Sequence, residues 1–218
     1  MNQIQELPYR HICIEGNIGS GKTTLVDMMS AEFNGQKILE EFEDNPFLQL
    51  FYKNPERYAL TVELFFMTER FKQLQKTSAG PGLFSSYIFS DFCFIKTLLF
   101  ARKNLETEEY KLFNMLFSVL NKSFPNPDLL VYIHRDTAHL LKNIKSRGRH
   151  YEQDISETYL KSIQDSYFEY LRNITSFPVL ILDLKGIDFQ SNKTNYETVK
   201  FLISKKYTPG VHRISVSV

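Results

Sequence analysis

The chain has 218 residues, 43% of them hydrophobic and 23% charged, with a formal net charge of +1. That length suits one α/β core, the ordinary composition excludes disorder and coiled coil, and the near-neutral balance excludes a general nucleic-acid binder, which needs a basic excess to displace phosphate counterions. Cys13 and Cys93 lie among apolar residues and read as buried thiols, while no basic-then-apolar leader opens the chain and no stretch approaches the roughly 18 apolar residues of a membrane span, so a soluble cytoplasmic protein is expected.

In chain order, His11 to Glu15 is a short β-rich run, followed by a glycine-rich turn and then a helix over Thr23 to Phe33 with Leu25, Met28 and Met29 on its buried face. Lys37 to Leu39 is a second strand, Pro46 closes the turn after it, and Phe47 to Tyr52 forms a short aromatic helix. Pro55 suits the first turn of a long helix in which Tyr58, Val62, Phe65, Phe66 and Phe71 recur at three- and four-residue steps. Ala79-Gly80-Pro81-Gly82 ends it. A third strand, Tyr87 to Ser90, precedes two helices, the second striped by Tyr110, Phe113, Leu116, Phe117 and Leu120.

Asn126-Pro127-Asp128 then breaks the pattern, Leu129 to Ile133 is a wholly apolar strand, and helices follow over Ala138 to Arg147 and Ser156 to Ile174. Val179 to Leu182 is the last expected strand, and the tail from 207 to 218 carries no pattern. Short apolar strands alternating with helices describe a doubly wound α/β sheet of about five parallel strands covered on both faces, as one domain over residues 1–218.

Gly16-Asn17-Ile18-Gly19-Ser20-Gly21-Lys22-Thr23 matches G-x-x-x-x-G-K-[ST] between a strand and a helix, the context of a phosphate-binding P-loop. Backbone amides of such a loop and the helix N-terminus cradle phosphates, a lysine reaches the β- and γ-phosphates, and the following hydroxyl ligates Mg²⁺. The expected ATP contacts are therefore Gly16, Asn17, Gly19, Ser20, Gly21, Lys22, Thr23 and Thr24, together with Arg147. The loop by itself does not separate a kinase from a GTPase, a motor or a regulatory ATPase.

Three further features narrow the choice. Glu40 and Glu41 stand at the carboxyl end of the second strand, where a carboxylate can take a proton from an acceptor hydroxyl; position alone leaves the two open, and adjacent acids on a loop are as readily just solvated. Asp91 ends the third strand, placed to hold Mg²⁺ with Thr23, although an N-cap role is the bland alternative. Arg147 and Arg149 flank a glycine, as paired guanidinium forks in a lid near residues 146–156 or as ordinary C-terminal helix cations. His134-Arg135-Asp136 matches the protein-kinase catalytic triplet, but Leu141 stands where asparagine is required, and the five histidines show no metal-ligand spacing.

Taken together, the loop at 16–23, Glu41, Tyr52-Lys53-Asn54-Pro55-Glu56-Arg57-Tyr58, Glu63 to Arg70, Phe100-Ala101 and Arg147 to Glu152 resemble the deoxynucleoside kinase family. The resemblance spans nearly the whole chain. It implies ATP- and Mg²⁺-dependent phosphorylation of a deoxynucleoside 5′-hydroxyl, with Glu41 as base, Tyr52 and Glu152 on the sugar 3′-hydroxyl, and Arg147 and Arg149 in the lid. Glu63, Arg70, Asp91 and Phe100 complete the substrate set, and homodimerisation through the two helices after the third strand is implied as well.

The chain also departs from the family pattern: Phe42 replaces the usual proline, Ser90-Asp91-Phe92 replaces Glu-Arg-Ser, Lys96 stands where many relatives carry aspartate, and Glu63 replaces a glutamine. A carboxylate at 63 accepts from an exocyclic amine, which favours adenine or cytosine over thymine. The alternatives are a nucleoside monophosphate kinase resembling thymidylate kinase and a non-catalytic nucleotide-binding relative. Against the first, Arg57 and Arg70 are the only arginines in an aromatic acceptor region; against the second, the reactive set is retained.

Overall fold

The computed structural model describes residues 6–40, 45–77 and 85–216. Six parallel strands, β1 (His11–Gly16), β2 (Gln36–Ile38), β3 (Ile88–Ser90), β4 (Leu129–His134), β5 (Pro178–Leu184) and β6 (Gly210–Val216), form one sheet in the order β2-β3-β1-β4-β5-β6. The helices are α1 (Lys22–Phe33), α2 (Leu48–Lys53), α3 (Pro55–Thr77), α4 (Ile95–Asn104), α5 (Thr107–Leu120), α6 (Thr137–Arg147), α7 (Glu157–Leu171) and α8 (Lys193–Ile203). Connections from β1 run to one side, towards β2 and β3, and those after β3 to the other, so a crevice opens at the carboxyl ends beside β1.

The two-residue period of β4 explains the layers. Leu129, Val131 and Ile133 point to one face, where α1 and α8 bury Leu25, Met29, Val199 and Ile203, while Leu130 and Tyr132 point to the other, against Ile163, Tyr167 and Leu171 of α7. A third apolar cluster joins α2, α3 and α5 through Phe51, Val62, Phe113 and Phe117. Helix starts are fixed locally: Asp136 accepts from His139 N at 2.7 Å to cap α6, and Ser156 accepts from Tyr159 N at 3.1 Å to cap α7.

Three sequence expectations need correction. The sheet has six strands, because the patternless tail pairs with β5 along Gly210–Val216; its residues alternate between half-buried and exposed and carry His212, Arg213 and Ser215, so it lacks the apolar run of the inner strands. Helix α8, capped by Asn192, had not been anticipated. In the α5 stripe Phe113 and Phe117 are buried, but Leu116 is exposed. The glycine-proline stop after α3 lies outside the described residues.

Candidate active site

The loop between β1 and α1 takes the shape that its glycines allow. Gly19 has φ +78°, and a Cβ there would lie 2.8 Å from Leu140 O; at Gly16, φ +154°, it would lie 2.7 Å from Ile133 O. Lys22 Nζ donates to Asn17 O at 2.9 Å and Asn17 Nδ2 to Leu160 O at 2.7 Å, so the loop is closed on itself and tied to α7. Ser20 Oγ is buried without a partner. Arg135, the middle of the kinase-like triplet, braces the loop from behind: its guanidinium donates to Ser20 O at 3.2 Å, Leu184 O at 3.2 Å and Ile187 O at 2.9 Å. Burial lowers the Lys22 ammonium to about 8, and repulsion from Lys96 adds to that, while Glu15, Glu40 and Asp91 oppose it.

Beside the loop, Thr23 Oγ1 donates to Asp91 Oδ2 at 2.6 Å, and Asp91 Oδ1 accepts Glu40 N at 2.7 Å. Two hard oxygens so placed are a donor set that suits Mg²⁺. Burial pushes the Asp91 carboxyl up, and the neighbouring Glu40 charge adds to this.

Glu41 lies outside the described residues, and Glu40 is the acid that the structure places in the pocket. One Glu40 oxygen accepts from Arg70 Nε at 2.8 Å and Nη2 at 2.5 Å, and the other accepts from Lys96 Nζ. Arg70 Nη1 donates to Thr97 Oγ1 at 2.9 Å, which fixes the fork. Burial alone would raise the Glu40 carboxyl, but Lys96 and Arg70 override it and hold the group well below the usual carboxylate range. Glu40 is thus an ionised acceptor at neutral pH.

The same crevice is lined by Tyr52, Glu63, Phe100, Asn104, Arg147, Arg149, Glu152 and Tyr159. Glu63 Oε1 accepts from Asn104 Nδ2 at 2.7 Å, while Oε2 is buried without a partner. Burial raises its carboxyl to about 7, partly offset by Asn104 and by the charge of Arg70. Arg147 donates to Glu152 Oε2, and Arg149 Nη1 lies 3.4 Å from Oε1, so both arginines converge on Glu152, the acid expected to meet the sugar. Gly148, at φ +74°, ends α6 and turns the chain between them.

The sequence-predicted residues Lys22, Thr23, Tyr52, Glu63, Arg70, Asp91, Phe100, Arg147, Arg149 and Glu152 therefore gather in one crevice. Lys96, Asn104 and Tyr159 join them; sequence reasoning had marked Lys96 as a departure from the family pattern without assigning it a role, and had not placed Asn104 or Tyr159 in the site. The signal for Lys96 was present as a charge among apolar residues, and it is 6% exposed. Elsewhere, Cys13, Cys93 and Glu15 bring potential ligand atoms within 4.8 Å of one another, but Glu15 already accepts Cys93 N at 2.8 Å and the Tyr167 hydroxyl at 2.9 Å. Among the described residues no helix is long and apolar enough to cross a membrane.

Compared with known proteins, residues 12–207 match the family model described as deoxynucleoside kinase. A deoxyguanosine kinase of Bacillus subtilis is 32% identical over 192 residues, covering 86% of this chain and 93% of that protein. A deoxyadenosine kinase of Dictyostelium discoideum is 31% identical, covering 92% and 84%, and a deoxyadenosine/deoxycytidine kinase of B. subtilis is 30% identical, covering 86% and 88%. Among solved structures, deoxyadenosine kinase from M. mycoides with bound dATP superposes with a TM-score of 0.77 at 23% identity, over 90% of this chain and 100% of that one, a likeness of fold.

Proposed function

Because the chain belongs to the deoxynucleoside kinase family, and so transfers phosphate to a nucleoside, we propose that Glu40 is the group that receives the acceptor's 5′-hydroxyl proton and that the acceptor is a deoxynucleoside with an exocyclic amine. The observation that carries the reading is the placement of one ionised carboxylate, Glu40, between the phosphate loop and the Glu63 end of the crevice. Asp91 links them physically, since it bonds both Thr23 and the Glu40 backbone.

In this mechanism the amides of residues 16–24 and Lys22 hold the triphosphate of ATP, and Glu40 orients the 5′-oxygen in line with the γ-phosphorus. Thr23 and Asp91 would hold Mg²⁺, which when bound neutralises charge shared by the β- and γ-phosphates. Phosphoryl transfer needs little proton removal before bond formation, so a carboxylate with a low pKa suffices to aim the hydroxyl and accept its proton late. Arg147 and Arg149 stand at the crevice to bind transferring oxygens, and Tyr52 and Glu152 to bind the 3′-hydroxyl. Phe100, under the Lys96 ammonium at 5.8 Å, walls the sugar and leaves little room for a 2′-hydroxyl.

Glu63 accepts an exocyclic amine, which supports adenine or cytosine over thymine; guanine carries such an amine too. The apolar stripe Leu112, Met115, Leu116 and Val119, exposed on α5, supports a homodimer through α4 and α5, and free thiols at Cys13 and Cys93 support a cytoplasmic setting. An ADP-release assay with each deoxynucleoside and each deoxynucleoside monophosphate tests the reading. Turnover with nucleosides is expected, and turnover with monophosphates alone would overturn it. Small-angle scattering reports the dimer, and a monomeric radius would remove it.

A further inference from the structure

Two cations flank Glu40, and they differ in what they leave free. All three Arg70 side-chain nitrogens are engaged: Nε and Nη2 donate to Glu40 Oε1, and Nη1 donates to Thr97 Oγ1. Lys96 has three N–H donors, and its one hydrogen-bond partner among the described residues is Glu40 Oε2. Its side chain is buried, lies over the Phe100 ring and lines the crevice that Lys22, Thr23 and Asp91 also line. A buried ammonium with two donors to spare is costly unless a ligand brings acceptors to it.

The lone pairs of Glu40 decide where those donors point. A carboxylate oxygen accepts two hydrogen bonds in its plane, and Arg70 fills both places at Oε1. Oε2 accepts from Lys96 and keeps one place open, so an acceptor hydroxyl that gives its proton to Glu40 meets Oε2. Two partners of one oxygen stand about 4.5 Å apart. A non-bridging oxygen on phosphorus joined to that hydroxyl oxygen therefore falls within hydrogen-bond reach of Lys96 Nζ. From the phosphate loop, Lys22 comes close enough for the two ammonium groups to repel, which contributes to the lowering at Lys22. Glu15, Glu40 and Asp91 hold these like charges together, and an anion arriving between them relieves the repulsion.

We propose that Lys96 is a catalytic residue that binds the transferring phosphoryl group from the acceptor side, opposite Lys22 on the donor side. This rests on the reading of Glu40 as the group that receives the 5′-hydroxyl proton. In the step, a bond forms between the 5′-oxygen and the γ-phosphorus, the bond from that phosphorus to the β,γ-bridging oxygen breaks, and its electron pair leaves with ADP. The hydroxyl proton passes to Glu40 Oε2. Lys96 keeps its protons and turns its two free N–H groups to the arriving non-bridging oxygens. The product monophosphate carries those oxygens, so it makes a contact that the nucleoside lacks.

That difference supplies the test. Lys96→Gln replaces the ammonium by an uncharged amide that retains a donor. Calorimetry compares native and variant for affinity towards the deoxynucleoside of fastest turnover and towards its 5′-monophosphate. The monophosphate should weaken by about 10- to 100-fold, the worth of one charge-assisted hydrogen bond, and the nucleoside by less than about threefold. Turnover should fall roughly 10²- to 10³-fold with both KM values within about threefold, and Lys96→Arg should recover most of the monophosphate affinity. Equal weakening of the two ligands, or of neither, would make Lys96 a counter-ion that only holds Glu40 and would overturn the inference. If the variant does not fold, a crystal of the native enzyme with the monophosphate decides: Lys96 Nζ at about 2.7–3.2 Å from a phosphate oxygen is expected, and a nitrogen beyond hydrogen-bond reach overturns the role. The reading of Glu40 fails separately, through a Glu40→Gln enzyme of near-native turnover, whatever Lys96→Gln does to phosphate affinity.

Discussion

Glu40→Gln separates the two things that this carboxylate does. It joins Arg70, whose side chain is 3% exposed, to Lys96, at 7%, while itself being 13% exposed. Removing its charge leaves two cations side by side with little water, and a buried pair broken in this way costs about 3–5 kcal/mol. For a protein of this length that corresponds to a fall of roughly 6–20 °C in Tm. Turnover should fall further than folding explains, by roughly 10²- to 10⁴-fold, the range for loss of a general base, while ATP binding persists. Thermal melts, ATP titration and ADP release on one sample of the variant measure all three. Turnover within threefold of native, alongside the expected loss of Tm, would show that Glu40 is a structural counter-ion and would refute the chemical role.

The remaining predictions follow from single groups. Lys22 has its ammonium lowered to about 8, so ATP affinity should hold below that pH and weaken as pH rises through it, with proton uptake on binding seen by calorimetry in buffers of different ionisation heat. Glu63 has a folded-state pKa raised to about 7, so the native state binds more protons than the unfolded chain between about 4.3 and 7, and stability is lost as pH rises across that window. Glu63→Gln should accordingly melt several degrees above native at pH 8 and close to it near pH 5; an equal effect at both would contradict the cause given. Arg135→Met strands three backbone carbonyls behind the phosphate loop, and a cost of about 2–4 kcal/mol is expected in urea unfolding, together with weaker ATP binding through Ser20.

Local pattern carried far in this chain. The phosphate loop was legible because its chemistry depends on consecutive residues, and β1 and β4 because strands covered on both faces must be continuously apolar. Asp91, Arg147 and Arg149, which line one crevice, stood out in the sequence from their positions at or just beyond strand and helix ends. What tertiary structure decided was pairing. Glu40 meets partners 30 and 56 positions away, and Glu63 meets Asn104 41 positions away, separations that no periodicity encodes. Between two adjacent acids, only the packing of α3 and α4 against the end of β2 brings one to Arg70 and Lys96. The last strand was hidden for the converse reason: half-exposed at the sheet's edge, it needs β5 beside it, and not any apolar run of its own, to become a strand.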